Sequence, residues 1–121
     1  MNNGMRYEVC LHHLKADQQA AWNQYPVRLD VYADGEPQDS LTKYNGGSDV
    51  WDLSDSCYRF SRQIQFELVQ DDGSDEGYRI ALFTIYAGET ASYGATMHDP
   101  KMGYALDYAV YVAHGVVLVR E

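Results

Sequence analysis

Between Tyr58 and Leu68 the residues Tyr58, Phe60, Arg62, Ile64, Phe66 and Leu68 alternate with Arg59, Ser61, Gln63, Gln65 and Glu67. A period of two belongs to a strand with one face buried and the other wet, because successive side chains of extended backbone point to opposite sides. The run is read as one long strand. Asp71-Asp72-Gly73-Ser74-Asp75-Glu76-Gly77 then supplies a hairpin loop, and Tyr78–Ala87 returns as the second strand.

The rest of the chain is read around this hairpin. Met5, Tyr7, Val9 and Leu11 alternate with Arg6, Glu8 and Cys10, which predicts a first strand. Ala16–Gln24 is rich in Ala and Gln, opens with Asp17 as a candidate N-cap and ends before Pro26, which predicts one short helix. Val27, Leu29 and Val31 alternate with Arg28, Asp30 and Tyr32 and end at Ala33-Asp34-Gly35-Glu36-Pro37. Residues 34–57 lack sustained periodicity and read as a long loop, with Trp51 and Leu53 as candidate pins to the core. Three glycines and Pro100 make Gly88–Gly103 a loop, after which Tyr104–Ala113 and Val116–Arg120 form strands about His114-Gly115. Ala105, Ala109 and Ala113 share one face of that strand, where a neighbour can approach closely. The expectation is a single acidic domain over residues 1–121, mainly β: an antiparallel sandwich or partly closed barrel of about six strands with one short helix near the N-terminus.

Leu, Ile, Val and Phe amount to only 25 of the 121 residues, close to the level at which chains stay disordered. Eleven Tyr and two Trp tip the balance toward a folded domain, since each buries a large ring while its polar end reaches water or a partner. Tyr7, Tyr58, Tyr78, Tyr104 and Tyr108 are expected on inward strand faces.

The net charge of −9 excludes unaided binding to nucleic acid or to an anionic membrane. It is unevenly placed, because residues 34–76 hold eleven acids against Lys43, Arg59 and Arg62. Asp34, Glu36, Asp39, Asp49, Asp52 and Asp55 fall in the long loop, and Asp71, Asp72, Asp75 and Glu76 in the hairpin turn. Tyr44 and Trp51 stand among the former as candidate interface anchors. These twelve residues form the expected partner-binding set.

Motifs for chemistry are missing. Asp72, Ser74, Glu76 and Gly77 imitate part of a calcium loop, but Phe83 stands where the closing Glu belongs. There is no HExxH, CxxC, phosphate loop or GxSxG, and His12-His13 point to opposite faces of a continuous strand. No catalytic residue, metal or cofactor is expected. Met1–Cys10 has no continuous apolar run, so the chain reads as cytoplasmic and Cys10 and Cys57 as reduced thiols.

The expected function is that of a small acidic inhibitor which occludes a basic, nucleic-acid-binding surface of a partner protein. Phage anti-defence (anti-CRISPR-type) and toxin-immunity proteins are analogous in type. The alternatives are a small hydrolase using Cys57 or the histidines, with His98-Asp99 as base and orienter, and a structural or assembly subunit that self-associates through its edge strands.

Overall fold

A computed structural model of the chain describes residues 6–44, 46–74, 76–89, 91–101 and 103–113. Nine strands run through them: β1 Tyr7–Ala16, β2 Val27–Ala33, β3 Glu36–Lys43, β4 Val50–Asp52, β5 Cys57–Phe60, β6 Gln63–Gln70, β7 Tyr78–Tyr86, β8 Ala91–Asp99 and β9 Tyr104–Val112. They form two sheets, one in the order β4-β1-β9-β8 with β5 also paired to β1, the other in the order β3-β2-β6-β7. Every pairing is antiparallel, and neither sheet closes into a barrel.

The alternation sets which faces meet. Val9, Leu11 and Leu14 of β1 and Leu106, Tyr108 and Val110 of β9 belong to one buried cluster with Leu29 and Val31 of β2, Phe66 and Leu68 of β6, and Phe83 and Ile85 of β7. Tyr58 from one sheet and Phe66 from the other bring their ring centroids within 6.1 Å inside this layer. Tyr78, expected inward, is exposed: it opens β7 three residues before Ala81, where the buried alternation Ala81, Phe83, Ile85 begins.

The run Tyr58–Leu68 is not one strand. β5 ends at Phe60 in the first sheet and β6 begins at Gln63 in the second, so the chain changes sheets at Ser61-Arg62. Arg62 occupies an inward phase position, where a guanidinium inside the sandwich would be left without water. At the crossing it sits exposed instead.

The long loop is mostly strand. Asp34 and Gly35 both have positive φ, 53° and 86°, the pattern of a two-residue hairpin turn whose twist matches the strands it joins. Ala33 and Glu36 pair across it and β3 follows, a sheet edge with residues 36–40 all exposed. With little of it buried, β3 carries no hydrophobic alternation. β4 and β5 lie end to end along β1, taking up the rest of the segment. Gly88–Gly103 likewise contains a strand, β8, whose Ala95 and Met97 lie against the core and whose register breaks before Ala95.

The expected helix is absent. β1 continues to Ala16, and a single 3-10 turn at Ala21–Asn23 replaces the rest. The N–H groups of this segment go to distant partners: Asp17 to Gly103 O at 2.8 Å, Ala20 to the Asp49 carboxylate at 3.0 Å and Ala21 to the Tyr104 hydroxyl at 3.0 Å. This turn drives Trp22 into the end of the sandwich.

Cys10 and Cys57, expected reduced, are register partners on β1 and β5 and form a disulfide. Such a bond belongs to oxidising compartments, so the cytoplasmic expectation gains no support. No helix among the described residues is long and apolar enough to cross a membrane. The expected strand Val116–Arg120, its turn at His114-Gly115, and Met5 lie outside the described residues.

Candidate functional site

Asp34 shows how the acidic residues are used. Its carboxylate accepts the backbone N–H groups of Ser61 at 2.9 Å, Arg62 at 2.6 Å and Gln63 at 3.2 Å, clamping the crossing from β5 to β6. Partial burial opposes its ionisation, but these donors and the nearby Arg62 charge outweigh it and hold the carboxyl below its ordinary 3.8. A carboxyl with a depressed native pKa binds its proton more weakly folded than unfolded. Its stabilisation is therefore complete above the unfolded value and is lost as pH falls through the lower native one. Asp34→Asn, which tolerates positive φ and keeps one acceptor, is expected to cost about 1 kcal/mol at neutral pH. Urea titrations at pH 7 and pH 3 check this: the wild-type advantage over the variant shrinks at the lower pH, and an unchanged gap removes the charge from the clamp.

Other members of the set are also built into turns. Asp49 accepts the Ala20 N–H and the Asn23 side-chain amide at 3.1 Å, tying the 3-10 turn to the strand β4 that follows. Asp52 and Asp72 each accept the backbone N–H and hydroxyl of the serine two residues on, Ser54 and Ser74, and these bonds lower both carboxyls. Asp71 accepts the Gly73 N–H and lies 3.4 Å from Arg28. Asp39 accepts the Tyr58 hydroxyl at 2.7 Å, joining the edge of one sheet to the other, and burial with this bond pushes the phenol well above its usual range.

Glu36, Asp55 and Glu76 are exposed, and Tyr44 is 52 % exposed. Trp51 is 7 % exposed and packs edge-on against Trp22 at 5.6 Å, so its ring serves the core. Asp75 lies outside the described residues.

The set is brought together in parts. The turn at Asp71 follows Gln70, the register partner of Val27, whereas the turn at Asp34 follows Ala33, the partner of Ile64. Seven residues of extended strand put these turns roughly 20 Å apart, at opposite ends of the sheet. Asp49 belongs with the former end, since the Asp71 N–H bonds Pro26 O in the same connection that Asp49 braces. Glu36 and Asp39 line the β3 edge, and Asp52 and Asp55 lie on β4 and the turn after it, the neighbouring edge of the other sheet. The acids thus form one end group and one edge group, with Asp34 in the turn beside Glu36 at the start of that edge. An open groove of about 470 Å³ runs beside the edge group between β2 and β3, lined by Asp30, Tyr32, Pro37 and Asp39 among others.

Four of the nine Lys and Arg residues form ion pairs mostly away from these acids. Lys15 pairs with Asp107, Arg59 with Glu8 and Arg79 with Glu67 on the outer sheet faces, and Arg28 pairs with Asp30 and Asp71. Among the described residues none of these ion pairs uses Glu36, Asp39, Asp49, Asp52, Asp55, Asp72 or Glu76. Eleven of the eighteen acids fall within residues 34–76, and the described acids of the end and the edge other than Asp71 take no part in these ion pairs.

The hydrolase alternative meets a different geometry. Cys57 is disulfide-bonded, and β1 and β9 stand between its strand and His98 on β8. A cluster not anticipated from sequence lies on that outer face: Asp107 receives the Thr96 hydroxyl at 2.7 Å and has His13 Nε2 at 2.6 Å. A bulge between Leu11 and His13 turns His13 toward it, and no local pattern announces a bulge whose partner strand is so remote in sequence. No protein-family model matches the chain, and no curated protein matches it in sequence.

Proposed function

We propose that the chain is a protein-binding inhibitor that sets its acidic end and edge against a basic, nucleic-acid-handling surface of a partner, competing with phosphate for lysine and arginine side chains. The observation that carries this reading is the segregation of charge. Lys15, Arg59 and Arg79 pair with acids on the sheet faces, while carboxylates on hydrogen-bonded turns and on the β3 and β4–β5 edges are held in position outside those pairs. Rigid turns present charge with little ordering cost on association, and a field of one sign speeds encounter with a surface of the other.

Glu36, Asp55 and Glu76 test it, since each is exposed and supports no turn bond shown in the structure. Glu36→Lys, Asp55→Asn and Glu76→Lys together move the net charge from −9 to −4. Tagged wild-type chain is expected to capture one basic protein in stoichiometric amount, to release it in high salt and to displace nucleic acid from it. The triple variant is expected to associate with that protein about tenfold more slowly at low salt, with a flatter salt dependence. Equal association of both chains, or a captured partner that still binds nucleic acid, overturns the proposal.

A further inference from the structure

Cys10 and Cys57 stand opposite each other on β1 and β5 with Cα atoms 4.1 Å apart. Glu8, the preceding outward position on β1, completes a group of three ligand atoms, one carboxylate oxygen and two sulfurs, all within 4.8 Å of one another. Among the described residues no other group of three His, Cys, Asp or Glu side chains meets so closely. Cys57 is exposed, so solvent reaches the group from outside the sheet.

The ladder holds these residues together independently of the sulfur–sulfur bond. On one side of the cysteine pair Val9 opposes Tyr58 and Tyr7 opposes Phe60, with Val9, Tyr58 and Phe60 buried in the core, and on the other the Leu11 N–H donates to Ser56 O at 2.9 Å. Opening the disulfide therefore leaves two thiols side by side on an outward face, next to a carboxylate. Two thiolates on a tetrahedral zinc ion, each with a bond of about 2.3 Å, lie roughly 3.8 Å apart, and a carboxylate oxygen bound at about 2.1 Å lies slightly nearer to each. Two cysteines whose Cα atoms the ladder holds 4.1 Å apart can reach the sulfur separation by rotating their side chains, and a Glu8 oxygen already lies within 4.8 Å of both sulfurs.

We propose that the reduced chain is a zinc site, with the Cys10 and Cys57 thiolates and the Glu8 carboxylate as ligands and water in the fourth position. Oxidised, the same sulfurs form the disulfide, so one pair of residues alternates between a covalent staple and a metal centre. A dithiol or phosphine reductant supplies two electrons to the disulfide and solvent supplies two protons, giving two thiols. Zinc then displaces both protons as the thiolates bind. Arg59, 3.8 Å from Glu8, gives up that carboxylate to the ion. The site is independent of the inhibitor reading and does not depend on any partner.

The full chain, reduced with a phosphine under nitrogen and titrated with Co²⁺, tests this. A thiolate-to-cobalt charge-transfer band in the near ultraviolet is expected to saturate at one equivalent and to be bleached by one equivalent of Zn²⁺. The oxidised chain and Cys57→Ser are expected to show no band, and Glu8→Gln to bind Zn²⁺ about tenfold more weakly. Binding to the folded state alone also raises the Tm of the reduced chain when Zn²⁺ is added. A reduced, folded chain without the band, or Glu8→Gln with undiminished affinity, overturns the three-ligand site. If reduction unfolds the chain, Zn²⁺ is expected to restore its far-ultraviolet circular dichroism; failure to do so overturns the site equally.

Discussion

Trp22→Ala is expected to destabilise the chain by about 4 kcal/mol and to lower its Tm by about 15 °C. Trp22 is fully buried at the end of the sandwich, between Trp51 at 5.6 Å and Tyr104 at 5.9 Å. Its indole N–H donates to Ser48 O at 2.8 Å, and its backbone oxygen accepts the Gly46 N–H. Truncation leaves a void that rigid strand ends on both sides cannot fill, removes two aromatic contacts and orphans a carbonyl. Gly46 sits so close that a β-carbon there would collide with the indole, so the loop cannot collapse inward without rebuilding. Trp22→Phe keeps a ring and should recover about half of the loss. Guanidinium unfolding followed by circular dichroism measures both, and a loss under about 1 kcal/mol for the alanine variant would show that the ring does not close the core.

The second large effect comes from the outer face of the other sheet. Arg28→Met is expected to cost about 3 kcal/mol, because it strands Asp30, a carboxylate only 8 % exposed. Arg28 Nε lies 2.9 and 3.1 Å from the two Asp30 oxygens, and Ser40 donates a hydroxyl to one of them at 2.7 Å. The bond to Asp30 raises the Arg28 pKa against an opposing effect of burial, so the guanidinium stays charged at every accessible pH. Without it, one neutral donor remains for a buried negative charge. The double variant Arg28→Met with Asp30→Leu removes charge and partner together and is expected to return to within about 1 kcal/mol of wild type. A double variant as unstable as Arg28→Met alone would place the loss in side-chain packing rather than in the unpaired charge.

Both effects lie beyond what local pattern conveys. The β6–β7 hairpin, by contrast, follows from alternation and a turn rich in Asp and Gly. Asp34-Gly35 carries an equally strong hairpin signal, yet the strand after it has no legible pattern because β3 is a sheet edge with polar side chains at nearly every position. Arg62, on the inward phase of the strongest run, marks where that run changes sheets. Ala16–Gln24 has helical composition, but its N–H groups are claimed by Gly103, Asp49 and Tyr104, all remote in sequence.

The candidate binding residues divide along the same line. That Asp and Ser belong in turns follows from the reach of their own side chains to nearby backbone, as at Asp52 and Asp72. That Asp34 clamps a crossing 27 residues on, that Asp49 braces the turn holding Trp22, and that Trp51 is core depended on which turns meet in space.

Sequence alone determined that this chain folds as mainly β with antiparallel pairing, which faces of several strands are buried, and that its middle third is strongly acidic. Those properties follow from the two-residue repeat of extended backbone and from residue charge, both of which act locally. Tertiary structure decided the division into two sheets, the Cys10–Cys57 pairing across 47 residues, the plug at Trp22, and the split of the acids into an end and an edge. Each of these rests on contacts between distant segments, whose free energy appears only once the whole core has closed and so leaves no periodic trace in either segment.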